Sequence, residues 1–349
     1  MLIGTLFISA ISIALVVSLT FDSETITALR SIKLEYILAS AIFHIFFYFV
    51  WGARTRALCK SLGYDIGYLK IVEIILSGVF VAGITPSSIG GEPLRIHMLY
   101  LNKIPFGRAT AIILGERLLD AFLIFSSLPF ALYIMRDILS NYKLDVALLT
   151  ASCLAFFALI LFIYGLCKPE KVENIILRVI KIFAPFLGKR TDYEIAHLIE
   201  HIVREMDLFH ESLRILISEG KKGLFWGFFF TILFWTVEFF QLVLILMGLS
   251  KTPSILTVFA SQILLVVVMI VPSTPGASGI AELGAATIFS VFVDGPILGV
   301  TVMAWRALTY YMNLLVGGFI SLKVVKDLDL INKLIGKSTE FQRSTEKDI

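Results

Sequence analysis

The sequence predicts an all-α polytopic membrane protein with about eight membrane segments, two of them re-entrant broken-helix hairpins in inverted repeats. Three observations carry this reading. The 349 residues are 58% hydrophobic with a mean hydropathy of +0.89, more apolar than a soluble domain. Apolar runs of about 20 residues, the length that crosses a bilayer, recur along the chain. Two shorter apolar runs end abruptly in motifs rich in proline, glycine and hydroxyl residues, which must break a helix.

The crossing runs lie near 2–20, 34–51, 107–135, 144–167, 223–247 and 297–322. The first has no basic leader and no small-residue cleavage motif, so we read it as a retained span. The shorter runs, 69–84 and 255–271, lead into the broken motifs. Between the two sets lies a different stretch, 168–222, in which Ile195, Leu198, Ile199, Ile202, Met206, Phe209, Leu213 and Leu216 share one helical face. Charges fill its other side, as in a helix lying on the membrane surface. The expected organisation is one transmembrane domain over 1–325, with repeat 1 at 34–167, the amphipathic linker at 168–222 and repeat 2 at 223–322. A polar tail over 326–349 then frays.

The first broken motif is Thr85-Pro86-Ser87-Ser88-Ile89-Gly90-Gly91-Glu92-Pro93-Leu94-Arg95, and the second is Pro272-Ser273-Thr274-Pro275-Gly276-Ala277-Ser278-Gly279-Ile280-Ala281-Glu282. Thr-Pro stands in both. Glu92 follows its threonine by seven residues and Glu282 by eight, while Arg117 and Arg306 each follow by 32. That agreement of offsets points to an internal duplication. In a membrane, irregular backbone survives only where protein or a wet cavity satisfies it, and broken helices at the midplane are where transporters bind substrate.

Basic residues set the expected orientation. Arg54, Arg56, Lys60 and Lys70 follow the second span, ten Lys or Arg lie between 168 and 222, and six follow 322. These fall on the cytoplasmic side if 69–101 enters and leaves from that side and 255–293 enters from the other. The expected home is the cell membrane with both termini cytoplasmic.

A half-helix that starts near the midplane aims free N–H groups and its positive dipole end there. Gly90-Gly91-Glu92-Pro93 and Ser278-Gly279 fit such starts, and two together suit a phosphate or carboxylate. Glu116, Arg117, Asp120, Glu238 and Arg306 lie inside spans, where each costs roughly 2.5–3.5 kcal/mol unless paired or hydrated. Arg117 and Asp120, three apart, can pair locally, and Tyr310 can stack on Arg306. One reading is a neutral structural network. The other is that Arg117 and Arg306 bind an anionic head group, with Glu92, Glu282, Glu116 or Asp120 carrying a coupling proton. The candidate substrate site is therefore Thr85, Pro86, Ser87, Ser88, Gly90, Gly91, Glu92, Arg95, Glu116, Arg117, Asp120, Glu238, Ser273, Thr274, Pro275, Gly276, Ser278, Gly279, Glu282, Arg306 and Tyr310. Glu238 and Gln241 share a face of their span; His44 in the second span reads as a satisfied polar contact.

Other classes are disfavoured. A net charge of +3 is no nucleic-acid footprint. Cys59, Cys153 and Cys167 have neither disulfide nor metal spacing. His197 and His201 share a helix face, but Leu198 stands where a zinc hydrolase needs glutamate. Ser87, Ser88 and Ser273 have no recognisable base, so no catalytic motif, cofactor or metal site is expected.

The motif Thr85 to Arg95, the run Gly115-Glu116-Arg117-Leu118-Leu119-Asp120, and Pro272 to Glu282 with Gly284 resemble, in that order, the flippase-like family related to the transmembrane region of lysylphosphatidylglycerol synthases. The resemblance spans about 5 to 325. It implies movement of a lipid between leaflets, an anionic phospholipid, an aminoacylated lipid or a polyprenyl-phosphate carrier. The larger synthases add a soluble aminoacyl-transferring domain, for which the stretch after Val325 is too short, so their synthase activity is not carried over. A small-anion or ion-coupled solute carrier is the alternative, and an intramembrane lipid-phosphate enzyme a lesser one.

Overall fold

A computed structural model describes residues 32–85, 90–136, 207–216, 221–269 and 276–323 continuously, with isolated positions at 18, 25, 26, 30, 150, 153, 156, 157, 204 and 274. The expected spans at 2–20 and 144–167, most of the linker and the tail lie outside the described residues.

What is described is all-α. Helix α1 (Leu34–Ser61) is followed by α2 (Tyr68–Ile84), α3 (Gly91–Leu101), α4 (Phe106–Met135), α5 (Lys221–Gly248), α6 (Ile255–Met269), α7 (Ile280–Phe289) and α8 (Gly295–Arg306). Beyond Arg306 the chain makes a π-helical turn at Ala307–Tyr311 and stays helical through 323. Helices α1, α4 and α5 are each long and apolar enough to span a membrane. At ~1.5 Å per residue, α3 and α7 are only ~15–17 Å long, about half the ~30 Å hydrocarbon core. Each closes a helix–break–helix pair, α2/α3 and α6/α7.

The α1 helix shows how a membrane inverts the soluble pattern. Leu34, Leu38, Ile42, Ile45 and Phe49 form an exposed apolar stripe, while Ser40, His44, Tyr48, Arg54 and Thr55 are buried. The helix does not stop at residue 51, as the apolar run suggests, but continues to Ser61. Arg54 and Thr55 can stay helical inside the protein because acidic partners on α4 meet them there. Gly63, at φ +82°, and the Leu62 and Gly63 N–H bonds to Cys59 and Lys60 carbonyls then end it.

Helix α5 runs antiparallel to α1. The Lys33 N–H bonds the Gly248 carbonyl at 2.8 Å, Gly227 sits against Leu58, and a Cβ on Gly223 would fall 2.2 Å from the Ser61 Cβ. Gly223 and Gly227 thus form a small-xxx-small contact that lets the two backbones close together. Helix α6 packs on α4 through Ile124, Leu128 and Leu132 against Ala260, Ile263 and Leu264. Residues 207–216, the end of the amphipathic linker, tuck Leu213 and Leu216 inward. Leu216 touches Gly115 of α4, and Arg108 pairs with Glu211 at 3.2 Å.

Helix α2 of the first broken pair meets the last helix, the one that follows Arg306. Tyr310 donates its hydroxyl to the Gly83 carbonyl at 3.0 Å. Farther on, a Cβ on Gly317 would lie 2.5 Å from the Leu76 carbonyl oxygen.

Candidate functional site

At the first break Thr85 caps the end of α2, its hydroxyl donating to the Val81 carbonyl at 2.8 Å and accepting the Gly90 N–H at 3.0 Å. Gly91 then starts α3 in a spot where a Cβ would lie 2.8 Å from the Gly78 carbonyl. In the second break the Thr274 hydroxyl donates to the Ser278 carbonyl. Gly276 and Gly279 adopt φ of +60° and +90°, which glycine tolerates best. Pro86, Ser87, Ser88, Ser273 and Pro275 lie outside the described residues.

Behind the first break is a buried ionic cluster. Glu116 accepts from Arg95 Nη2 at 2.7 Å, from Trp51 Nε1 at 3.0 Å and from the Thr55 hydroxyl, and lies 3.5 Å from Arg54 Nη2. Asp120 accepts from Arg54 Nη1 at 2.6 Å and from Trp235 Nε1 at 3.0 Å. Its other oxygen is 3.4 Å from Arg117 Nη1. Arg117 Nε is 3.6 Å from Glu92. Three arginines and three carboxylates thus balance, and Trp51 lies within 6 Å of all three guanidiniums, at 4.9 Å from Arg95, 5.6 Å from Arg117 and 5.7 Å from Arg54.

The second break carries a smaller, closed version. Arg306 Nε donates to Glu282 at 2.8 Å, and Arg306 Nη2 reaches the Gly276 carbonyl and the Ser278 hydroxyl, each at 3.3 Å. The other Glu282 oxygen accepts the Gly279 N–H at 2.6 Å, so this half-helix start is filled by its own side chain. Tyr310 lies over the Arg306 guanidinium at 4.2 Å.

The equal sequence offsets therefore correspond to two Glu–Arg pairs in unlike states. Glu282 and Arg306 are buried, with side chains 0% and 3% exposed. Glu92 and Arg117 are each 37% exposed and held at longer range. Arg117 Nε has no hydrogen-bond partner, and neither do Arg95 Nε and Nη1. Where Arg306 spends its donors on its own loop, these buried nitrogens of Arg117 and Arg95 have no hydrogen-bond partner.

These groups share one cavity of about 290 Å³. Its walls include Gly91, Glu92 and Arg95 from α3, Arg117 from α4, Glu238 from α5, Gly276 from the second break, and Arg306, Tyr310 and Asn313 from the last helix. Glu116 and Asp120 stand behind the wall, and Thr85, Gly90, Thr274, Ser278, Gly279 and Glu282 shape the two breaks. A second cavity of about 790 Å³ lies along α2, α3 and the last helix. Phe80, Val81, Leu94, Leu101, Leu315, Phe319 and Leu322 line it, with Lys70, His97 and Asn102 also on its wall.

Sequence reasoning missed Arg54, Trp51, Thr55 and Trp235. Arg54 reads as one of the basic residues flanking a span, yet it is fully buried. Its signal was position: it lies on the same helical face as Trp51 and Thr55. Asn313 was also missed. It closes a polar group with His44 and Tyr48 at the cavity's edge.

A family model described as the lysylphosphatidylglycerol synthase TM region matches residues 1–317. The chain belongs to this family. Within the synthase TM-region family it is similar to a UPF0104 membrane protein of Archaeoglobus fulgidus, 28% identical over 95% of this chain and 100% of the relative. A UPF0104 membrane protein of Methanocaldococcus jannaschii is 23% identical over 92% of this chain and 94% of its own, and one of Pyrococcus horikoshii 19% identical over 86% and 90%. The family likeness thus takes in both breaks, the ionic cluster and the cavity.

Proposed function

We propose that this protein is a lipid flippase that carries an anionic head group through the cavity between its two broken helix pairs. The observation that carries the reading is the state of Arg117: 37% exposed, held by Glu92 and Asp120 only at 3.6 and 3.4 Å, and beside Arg95 in the cavity wall. A phosphate oxygen entering there gains charge-assisted hydrogen bonds and competes with contacts of 3.6 Å to Glu92 and 3.4 Å to Asp120. The cavity's size suits a head group and not acyl chains. The apolar groove along α2, α3 and the last helix suits the chains.

In this reading α2/α3 and α6/α7 are re-entrant hairpins, since α3 and α7 are too short to cross. The protein works in the cell membrane with both termini on the cytoplasmic side. Its lipid is an anionic phospholipid, an aminoacylated lipid or a polyprenyl-phosphate carrier. The ionic cluster around Glu116 holds α1, α3 and α4 together as a rigid back wall.

The second reading is a carrier of a small soluble anion, for which the same arginines serve. The apolar groove favours the lipid. The test is reconstitution into vesicles with fluorescent phosphatidylglycerol in one leaflet. A flippase raises the rate at which the probe becomes accessible from the other side, and Arg117→Gln removes that gain. Binding of a water-soluble phosphate compound, with no movement of any lipid across a broad panel, supports the second reading instead.

A further inference from the structure

Among the described residues, the carboxylates of the ionic clusters face arginine: Glu92 faces Arg117, Glu116 faces Arg95 and Arg54, Asp120 faces Arg54, and Glu282 faces Arg306. Protonating any of them removes one charge of an ion pair inside the protein, which is costly. Glu238 differs. It lines the same cavity, yet no lysine or arginine of the described residues pairs with it, and its partner is the neutral Gln241 amide, whose Nε2 donates at 2.8 Å. It can gain or lose a proton without breaking an ion pair.

The rest of its surroundings accommodates both states. Gln241 Oε1 is 3.0 Å from His44 Nδ1, so one amide points its nitrogen at Glu238 and its oxygen at the histidine. His44 Nε2 lies 2.9 Å from Asn313 Oδ1 and 3.0 Å from the Tyr48 hydroxyl, which itself reaches Asn313 Oδ1 at 2.5 Å. A neutral ring donates from Nδ1 to Gln241 and accepts at Nε2 once the Asn313 amide turns its nitrogen toward the ring, Tyr48 otherwise giving its proton to Asn313 Oδ1. A charged ring donates from Nδ1 to Gln241 and from Nε2 to Asn313. Neither form leaves a ring nitrogen unsatisfied.

The other titratable or charged groups facing this space are Tyr48 from α1, Glu92 and Arg95 from α3, Arg117 from α4, and Arg306 and Tyr310 from the last helix. The α2 and α6 residues on the wall, Gly78, Val79, Ala82, Gly83 and Met269, carry no charge.

We infer that Glu238 is a proton-binding site, with His44 as its buried counter-group through Gln241, and that a proton taken up there accompanies the anionic head group. This rests on the transport reading for its role, though the proton site itself does not. As a carboxylate, Glu238 repels an anion held at Arg117 across the cavity. On taking one proton from water it loses that charge and becomes a donor to a phosphate oxygen; deprotonation on the opposite side restores the repulsion and favours release. By linkage, head group and proton then raise each other's affinity.

The test uses the full chain in vesicles of phosphatidylcholine, with and without phosphatidylglycerol. Infrared difference spectra between high and low pH read protonated carboxyl groups directly, and movement of fluorescent phosphatidylglycerol is followed with and without an imposed pH gradient. The proposal expects a protonated-carboxyl band that is lost in Glu238→Gln, shifted in Glu238→Asp, and larger at fixed pH when phosphatidylglycerol is present. It also expects the gradient to accelerate the probe in wild type and not in Glu238→Gln. A band unchanged in both variants overturns the proton site. Gradient-driven movement that survives in Glu238→Gln overturns the coupling while leaving the flippase reading intact. A Glu238 band with no lipid movement in wild type supports the site and contradicts the flippase reading.

Discussion

The Arg54 guanidinium lies 2.6 Å from the Asp120 carboxylate, and the pair ties α1 to α4 deep inside the protein. Both groups are buried, and each has further partners: Glu116 for Arg54, Trp235 and Arg117 for Asp120. In such a setting the loss of one partner leaves an uncompensated charge, which is worse than losing both.

Arg54→Met is therefore expected to destabilise the protein by about 3–5 kcal/mol, and Asp120→Asn by a smaller amount because Arg54 retains Glu116. The double variant is expected to lose less than the sum of the singles. Unfolding in detergent, followed as a double-mutant cycle, reads this. Additive losses contradict the pairing.

The two Glu–Arg pairs should respond differently to the same change. Arg306→Gln takes the arginine from the buried Glu282 and is expected to cost about 3–5 kcal/mol of stability. Arg117→Gln removes a half-exposed group and is expected to leave the melting temperature nearly unchanged while lowering head-group binding. Thermal melts beside lipid-binding measurements separate the two, and equal stability losses contradict the assigned roles.

How much of this was legible in the sequence follows from what each signal measures. The offsets from Thr85 and Thr274 pointed to Arg117 and Arg306, and their pairing with Glu92 and Glu282 appears in the structure. Among the described residues, the spans at 34–51, 107–135 and 223–247 were also readable, as parts of α1, α4 and α5, because a run of apolar residues is local. Arg54 was misread for the same reason. Its charge looked like the end of a span, and only the fold brings Glu116 and Asp120, more than 60 residues away, against it. His44 reads as a satisfied polar contact and is one, but its partners Gln241 and Asn313 lie 197 and 269 residues on, so no spacing reveals them. The unequal openness of the two Glu–Arg pairs depends on loop backbone, with Gly276 and Gly279 at positive φ, and composition does not encode that.

Close backbone contact between the halves makes a steric prediction. Gly317→Ala places a methyl 2.5 Å from the Leu76 carbonyl oxygen, which no side-chain rotation relieves. A loss of about 1–3 kcal/mol is expected. Gly67→Ala, with nothing within 4 Å, is the control and should fall within about 0.5 kcal/mol of wild type.

In the α1–α2 turn, Arg56 lies 3.0 Å from Asp65 and, with Lys60, holds its carboxyl below the ordinary value of 3.8. A depressed folded value adds stability above the unfolded one, and that contribution disappears as pH falls through the folded value. Asp65→Asn should thus have its small effect at neutral pH and none in strong acid. Melts across an acid titration check the sign, and an effect that grows on acidification contradicts it.

The central claim is that an anionic head group sits against Arg117 and Arg95 between the two broken helix pairs. The most direct measurement is an experimental density map of the protein in nanodiscs containing phosphatidylglycerol. The account predicts a phosphate within hydrogen-bond distance of Arg117 inside the cavity, lost in Arg117→Gln. Phosphates confined to the outer surface, with the cavity holding water alone, would contradict it.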